Sequence, residues 1–514
     1  MSIEKNKTFY ITTTLPYVNA APHIGFAKEI INADVIARYK RMNGFDVFFN
    51  TGTDEHGLKV YRKAQEEGKD TQKYVDEYAA IWSSLKNTLN LSNNNFIRTT
   101  DAHHIKSAQA FWEKCAQSGD IYKKQYKIKY CVGCELEKTD SELVDDCCPI
   151  HPKMKIELIE EENYFFRWSK YQDRLAEFYA KNPEFVVPSF RFNEIKNFVK
   201  NGLDDFSISR LKEKMSWGVP VPGDDKHVMY VWFDALVNYI SALGWPDNAE
   251  KFQKYWPVVQ FAGKDNLRQQ SAMWQAMLLS AGLSLSKQII ILGFITSGGQ
   301  KMSKSLGNVI NPQDVVAKYG TDALRFYLLK EITPFEDGDF NYDKFEESYT
   351  ANLVNGLGNL TARSLAMAEK TNYESRIMNH EQILKSKFKV IVEISWQKYE
   401  EAVNTYKLNE AMGEVWKLIS VCDEYVEEKK PWKLEGEEKE ISIYNLLESL
   451  RHIAWMIRPF MPETSDKIFA QLFVDESERA AELSKILVEA QKWGGFKAGT
   501  KIIKKAGMFP RLVK

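Results

Sequence analysis

The residues best suited to chemistry fall in four polar stretches and one cysteine cluster. In residues 12–38, TTTLPYVNAAPHIGFAKEIINADVIAR, His23 can hydrogen-bond a phosphate oxygen and Gly25 lets a nucleotide approach the backbone. In residues 299–307, GQKMSKSLG, Lys301 and Lys304 flank Ser303 in a glycine- and serine-rich cationic loop suited to a polyphosphate. Residues 50–58, NTGTDEHGL, offer Asp54 to a ligand ammonium, with His56 and Gly57 on the nucleotide side. Residues 258–274, VVQFAGKDNLRQQSAMW, put Gly263 beside Asp265, whose carboxylate suits ribose hydroxyls. Three of them also have a plain structural reading: a turn at His23, a solvated lysine loop, and Asp54 as the N-cap of the next helix.

The cysteine cluster pairs Cys131 with Cys134 (CxxC) and Cys148 with His151 (CxxH). Three thiolates and one imidazole suit tetrahedral zinc, and a closed set of four leaves no position for water, so the site reads as structural. Cys147 can replace Cys148 in the ligand set, and a metal-free knuckle held by hydrogen bonds is the alternative. The pair His103 and His104 reads as the start of a helix packed on a sheet rather than as metal ligands.

The elements that must position these groups follow from periodicity. Residues 7–14 read as a buried strand, apolar residues recur at helical spacing after Pro22, Gly44 ends that helix, and residues 45–49 form a second strand. Such a strand, helix and parallel strand unit is right-handed and puts the helix N-terminus, with its positive dipole end, at the carboxyl edge of the sheet. Residues 59–117 read as helical, 228–233 as a strand, and 288–295 as the strand leading into the lysine loop. Trp232, Ala235 and Tyr239 can form an apolar pocket with Leu15 and Tyr17, ordinary core being the alternative. Residues 342–475 carry apolar residues at three- and four-residue spacing, as a helical bundle does. The expected fold is α/β: a Rossmann-like parallel-sheet catalytic domain (1–117 and 226–341) split by a zinc-knuckle insertion (118–225), then an all-α bundle (342–514).

HIGF and KMSKS together resemble the two signatures of class I aminoacyl-tRNA synthetases, with Phe26 where the first signature usually has a second histidine. TLPYVNAAPHIG, TGTDEHG, YVWFDA, GKDN and KMSKSLGNVI, in this order and with one zinc knuckle, resemble the methionyl-tRNA synthetase family over essentially the whole chain. That resemblance implies a ligase that joins methionine to ATP as methionyl-adenylate and passes the acyl group to the 3′ end of tRNA(Met). Its cofactors are Mg²⁺ with the ATP and one structural Zn²⁺ per chain on Cys131, Cys134, Cys148 and His151. It implies His23, Lys301 and Lys304 as catalytic groups, and His23, Gly25, His56, Gly263, Asp265, Lys301, Ser303 and Lys304 around ATP. It gives the methionine pocket to Leu15, Tyr17, Asp54, Trp232, Ala235, Tyr239, Gln270 and Trp274. Gln269 and Gln270 stand where the family has Phe-His, so Gln270 replaces the pocket histidine. If ATP needs a second histidine, His56 takes the role missing at Phe26. The bundle is the family's anticodon reader: Asp423 replaces the asparagine nine residues before Trp432, and Trp493 resembles an aromatic on which an anticodon base stacks, or else caps the bundle's base.

Composition bounds this reading without establishing it. A chain of 514 residues holds two to four domains, and a net charge of −1 gives no global support for RNA binding, so tRNA must meet local basic patches. Six cysteines with two clustered pairs point to metal in a reducing compartment. With no signal sequence and no long apolar run, the expected location is the cytoplasm, without membrane contact. The absence of an appended dimerisation module leads to the expectation of a monomer. The rivals are a class I synthetase for another amino acid and a silent paralogue that only binds tRNA.

Overall fold

The computed structural model describes residues 7–512 except 135, 139, 303–306, 372–385, 498 and 506. Strands β1 (Thr8–Thr12), β2 (Asp46–Thr53), β3 (Asn95–Arg98), β4 (Val186–Val187), β5 (Val259–Gly263) and β6 (Gln288–Leu292) form one sheet. Every pairing is parallel, in the spatial order β3, β2, β1, β5, β6, β4. Ile289, Ile290 and Ile291 are all buried, as befits a parallel sheet covered on both faces. The chain reverses its direction of travel across the sheet between β1 and β5. That is the topological switch point at which open α/β sheets bind ligands.

Helix α1 (Ile24–Met42) follows β1 and is buried around most of its circumference, because sheet, lysine-loop segment and bundle all pack on it. Three stretches differ from the sequence reading. The segment 59–117 is helical at α2 (Leu58–Glu66), α3 (Thr71–Thr88) and α4 (Ala102–Gln117), but it also yields β3 from an Asn-rich stretch that resembles a turn. Residues 118–225 are not wholly peripheral, since β4 pairs with β6 at the sheet edge. The strand expected at 228–233 runs instead over Asp224–Met229, and a helix begins at Val231. Its β-branched and aromatic residues favour a strand, but burial of Asp234 between two histidines turns the chain there.

The insertion is built on a long antiparallel pair, Ile121–Cys131 with Glu157–Phe166. Lys59 Nζ, from α2, donates to Gly133 O at 3.3 Å and ties the knuckle to the catalytic face. Helices Asn359–Lys370, Lys387–Asn404, Leu408–Lys429, Gly436–Ile457 and Pro462–Leu472 form the bundle. Fully buried Arg325 joins it to the sheet domain, donating to Phe460 O at 2.6 Å, Pro459 O at 2.9 Å and Leu89 O at 3.1 Å while pairing with Asp34 of α1 at 2.8 Å. Among the described residues, no helix is long and apolar enough to cross a membrane.

Candidate active site

At the switch point, the loop after β1 and the loop after β5 converge. His23 caps α1 in extended backbone conformation, and its Nδ1 accepts from Gly25 N at 3.1 Å. Ile24 N donates to Ile310 O at 3.0 Å, and Met302 Cε lies 3.7 Å from where a Cβ on Gly25 would stand. The two signatures, far apart in the chain, are therefore adjacent in space. Lys301 pairs through its backbone with Thr296. Ser303, Lys304 and the Lys301 side chain lie outside the described residues.

A carboxylate that sequence reasoning missed completes this corner. Glu29, on α1, accepts from Thr14 N at 2.8 Å and Thr14 Oγ1 at 2.6 Å. A Cβ on Gly263 would stand 2.8 Å from Asp265 Oδ1 and 3.9 Å from Glu29 Oε2, so the two carboxylates share one glycine corner. Burial pushes Glu29 up to about 7 against the hydrogen bonds from Thr14, and the charge of Asp265 adds to the rise. Neighbouring Lys28 is pushed down to about 7, also by burial, and donates only to Gly293 O at 3.1 Å. Little in the sequence signals the pair, because the same helix also buries Asn32 and Asp34.

Phe26 does not face this corner. Its ring meets Trp82 edge-on, with centroids 5.0 Å apart, in the core beneath α1, and Trp82 Nε1 donates to Ala20 O at 3.1 Å. His56 is held elsewhere. Its Nδ1 lies 2.6 Å from Asp234 Oδ2, while Asp234 Oδ1 lies 2.8 Å from His104 Nε2, and His104 Nδ1 is 2.8 Å from Ser241 Oγ. Burial would raise Asp234, but the charge of His56 and the bonds from both histidines bring it down to about 2. His104 is thus a buried partner of the loop carrying His56 and lies outside the metal cluster.

The opening stretch and the TDEHG loop are joined by backbone: Asp54 N donates to Pro16 O at 2.9 Å and Val18 N to Asp54 O at 3.2 Å. Tyr17 meets Trp232 edge-on at 6.4 Å, and Tyr239 lies 5.9 Å from Trp274. Leu15 and Trp232 pack on the cluster that holds Tyr239 and Trp274, and Ala235 is buried. Gln270 lies within a π-helical turn, Gln269–Met273, and Trp274 directly follows it, a deformation often found at functional sites. Gln270 Oε1 accepts from Gln260 Nε2 at 2.8 Å, so it is braced against β5 at the back of the pocket. The buried indole N–H groups of Trp232 and Trp274 find no acceptor among the described residues.

The ligand atoms of Cys131, Cys134, Cys148 and His151 all lie within 4.8 Å of one another. A Cβ on Gly133 would fall 2.6 Å from His151, so the knuckle needs glycine there. Burial raises the Cys148 thiol, but the amides of His151 and Ile150 bring it below its ordinary value, favouring a thiolate. Cys147 pairs with Lys155 and stands outside the cluster.

Of the two residues expected to read an anticodon, Asp423 is half-buried and pushed up to about 6 by burial, within the field of Arg363. Trp493 is only 7% exposed and stacks on His452 at 5.8 Å with the rings 4° from parallel. Trp432, which the sequence reading did not choose, is 48% exposed and carries the Arg363 guanidinium 5.9 Å from its ring.

Residues 9–155 and 138–365 match the family model described as tRNA synthetases class I (M), and residues 392–504 match the anticodon-binding domain of tRNA ligase. The methionine–tRNA ligase of Thermotoga maritima is 41% identical over 98% of this chain and 80% of its own length. That of a Nostoc species is 42% identical over 95% and 94%. The chain belongs to the class I methionyl-tRNA synthetase family. A Mycobacterium tuberculosis methionyl-tRNA synthetase solved in complex with methionyl-adenylate superposes with a TM-score of 0.90 at 36% identity, covering 98% of this chain and 100% of that one. The family's Rossmann-like sheet and helical C-terminal part are both present in the described residues.

Proposed function

We propose that the chain is a methionine–tRNA ligase whose methionine and ATP meet at the switch point between β1 and β5. The observation that carries this reading is the contact of His23–Gly25 with the Met302 segment, directly beside an aromatic pocket. In the first step the methionine carboxylate attacks the α-phosphorus of ATP and pyrophosphate leaves. No enzyme nucleophile is needed, so the protein contributes position and charge. The N-terminus of α1, His23, Lys301 and Lys304 stabilise the phosphates, with Mg²⁺ accompanying the nucleotide and Ser303 in the same loop. Gly25 and Gly263 admit the nucleotide to the backbone, His56 lies on its side of the TDEHG loop, and Asp265 with Glu29 takes the ribose end. Asp54 meets the methionine ammonium; Leu15, Tyr17, Trp232, Ala235, Tyr239 and Trp274 surround the thioether, braced by Gln270. The indole N–H groups suit the weak acceptor sulfur.

The first half of the sheet domain, the insertion, the second half and the bundle divide near residues 117, 225 and 341. Cys131, Cys134, Cys148 and His151 fit a tetrahedral structural zinc, which would hold the tip of the insertion. In the bundle, Trp432 offers an open aromatic face for an anticodon base beside Asp423 and Arg363, whereas Trp493 would first have to leave His452. Two measurements test the reading. Pyrophosphate exchange over a panel of amino acids should be driven by methionine; exchange driven by another amino acid and not by methionine would sink it. Elemental analysis should find about one zinc per chain, lost in Cys148→Ala and kept in Cys147→Ala.

A further inference from the structure

We propose that Lys28 is a positioning residue for adenylate formation, holding the root of the hairpin that leads into the lysine loop against the phosphate-binding helix. This rests on the ligase reading and adds to it a residue that acts through another segment rather than on a substrate. Lys28 stands in the second turn of α1, five residues after His23, and is 1% exposed. Its Nζ donates to Gly293 O at 3.1 Å, and the charge of Asp337 works against the burial that lowers its basicity. An ammonium so far from water costs stability unless the fold uses what it holds.

Gly293 is where the chain leaves β6. Beyond it, Ile295–Ser297 pairs parallel with Gly338–Phe340 and antiparallel with Gln300–Lys301, whose end runs into the lysine loop. Two segments cross in direct contact at this root. A Cβ on Gly293 would stand 2.0 Å from Glu336 O, Gly293 N donates to Pro334 O at 2.9 Å, and Gly338 N donates to Phe294 O at 2.9 Å. Asp337 Oδ1 accepts from Phe294 N at 3.0 Å, while its Oδ2 takes the Lys264 ammonium at 2.6 Å, and that ammonium lies 4.6 Å from the Phe294 ring. Asp339 Oδ1 accepts from Gly299 N and Thr296 Oγ1, both at 2.8 Å, so the hairpin's turn is braced from the same crossing segment.

Two lysines from different elements therefore hold one root, and each directly precedes a carboxylate of the nucleotide corner: Lys28 precedes Glu29, and Lys264 precedes Asp265. They contribute unequally. The Lys264 side chain is 26% exposed, so solvent screens its pair with Asp337. Lys28 is buried and bonds a backbone carbonyl, which ties the start of the hairpin to the helix whose N-terminus meets the phosphates. In the step itself the methionine carboxylate oxygen forms a bond to the α-phosphorus, the bond from that phosphorus to the bridging oxygen breaks, and pyrophosphate leaves with the electron pair. Lys301 and Lys304 must stand at that leaving charge, and a displacement of about 1 Å there is worth on the order of a hundredfold in rate. The later transfer to tRNA expels AMP after pyrophosphate has gone, so the two half-reactions separate the possibilities.

Lys28→Met keeps most of the side chain's length and its apolar stem and removes the donor. Single-turnover adenylate formation per folded molecule, at saturating methionine and ATP, should fall on the order of tenfold or more, while the Kd for methionine and the rate of transfer from preformed adenylate should stay within about twofold. A lysine that only fills the core would leave the rate per folded molecule unchanged or slow both half-reactions alike, and either result would overturn the proposal. Asp337→Asn tests the same root without touching α1: it keeps the acceptor for Phe294 N and removes the charge shared by the two lysines. The same split at a smaller size is expected, and adenylate formation at the unsubstituted rate would overturn the role of this root even where Lys28→Met does not fold. If the unsubstituted protein shows no methionine-dependent exchange at all, the ligase reading fails first and takes the role of Lys28 with it.

Discussion

Two buried charge networks in this chain are built in opposite ways. At the base of the bundle, Glu448 accepts from the amides of Gly494, Gly495 and Phe496 at 2.8, 2.9 and 2.8 Å and from Arg451 at 2.9 and 2.7 Å. Arg451 also meets Glu482 at 2.8 Å, Ala490 O at 2.9 Å and Lys492 O at 2.8 Å. A Cβ on Gly495 would fall 2.6 Å from Arg451 Cζ, so that backbone approach needs glycine. Despite burial, the charge of Arg451 and the bonds it makes hold Glu448 well below the usual carboxylate range. At the sheet edge the reverse holds: Glu29 is driven up to about 7, Lys28 is driven down to about 7, and two indoles lack acceptors among the described residues. The Glu448–Arg451 network satisfies its charges within the chain, whereas the sheet edge keeps binding capacity for a ligand.

The strongest way to break this contrast is Arg451→Met, which leaves Glu448 and Glu482 buried without their cation. It should cost about 3–5 kcal/mol, read as a lowered urea midpoint; an unmoved midpoint would mean that the network is decoration. Glu29 should act with the opposite sign. Its folded value is near 7 against an ordinary 4.5, so its contribution to stability is present below 4.5 and lost as pH rises through 7. Glu29→Gln should remove that loss and stabilise the ligand-free protein at neutral pH by on the order of 2–3 kcal/mol. Lys28 works in a different window: its lowered value weakens the fold as pH falls from 10.5 through 7. Asp322 and Asp423, both raised to about 6, and His452, lowered to about 4, also respond below pH 7, so Glu29 is read from the difference between the unfolding curves of the unsubstituted protein and Glu29→Gln between pH 5 and 7.

The two tryptophans sharpen the contrast at the RNA-facing end. Trp432→Ala should weaken tRNA binding by about 1–3 kcal/mol with little change in stability, and Trp493→Ala should do the reverse. The smallest effect belongs to Phe26→His. A second histidine at this position would improve ATP use only if it faced the nucleotide, but the Phe26 ring lies against Trp82, so a loss of about 1–2 kcal/mol in stability with an unaltered KM for ATP is expected.

The parts of the candidate site that the sequence marks are those whose residue types sit close together in the chain. The His23–Gly25 turn and the CxxC and CxxH pairs can each be read from a few adjacent positions, whereas Trp274 entered only through the family resemblance. The choice of Cys148 over Cys147 could not be read in this way, since strand pairing with Lys155 turns the second thiol away. Glu29 and Lys28 were hidden for another reason: a helix wrapped on nearly all sides has no polar face to mark which charges are buried. Phe26 and Trp493 were misdirected by motif position, whereas their neighbours Trp82 and His452 come from distant segments. The same holds for the helix at Val231, where two buried histidines override strand propensity.

The most direct test of the contrast is methionine-dependent pyrophosphate exchange per folded molecule in Glu29→Gln and Glu448→Gln. The account predicts that Glu29→Gln is at least as stable as the unsubstituted protein but exchanges on the order of tenfold more slowly or worse, while Glu448→Gln is destabilised and exchanges at the ordinary rate where folded. Full exchange in Glu29→Gln, or a catalytic defect without loss of stability in Glu448→Gln, would contradict it.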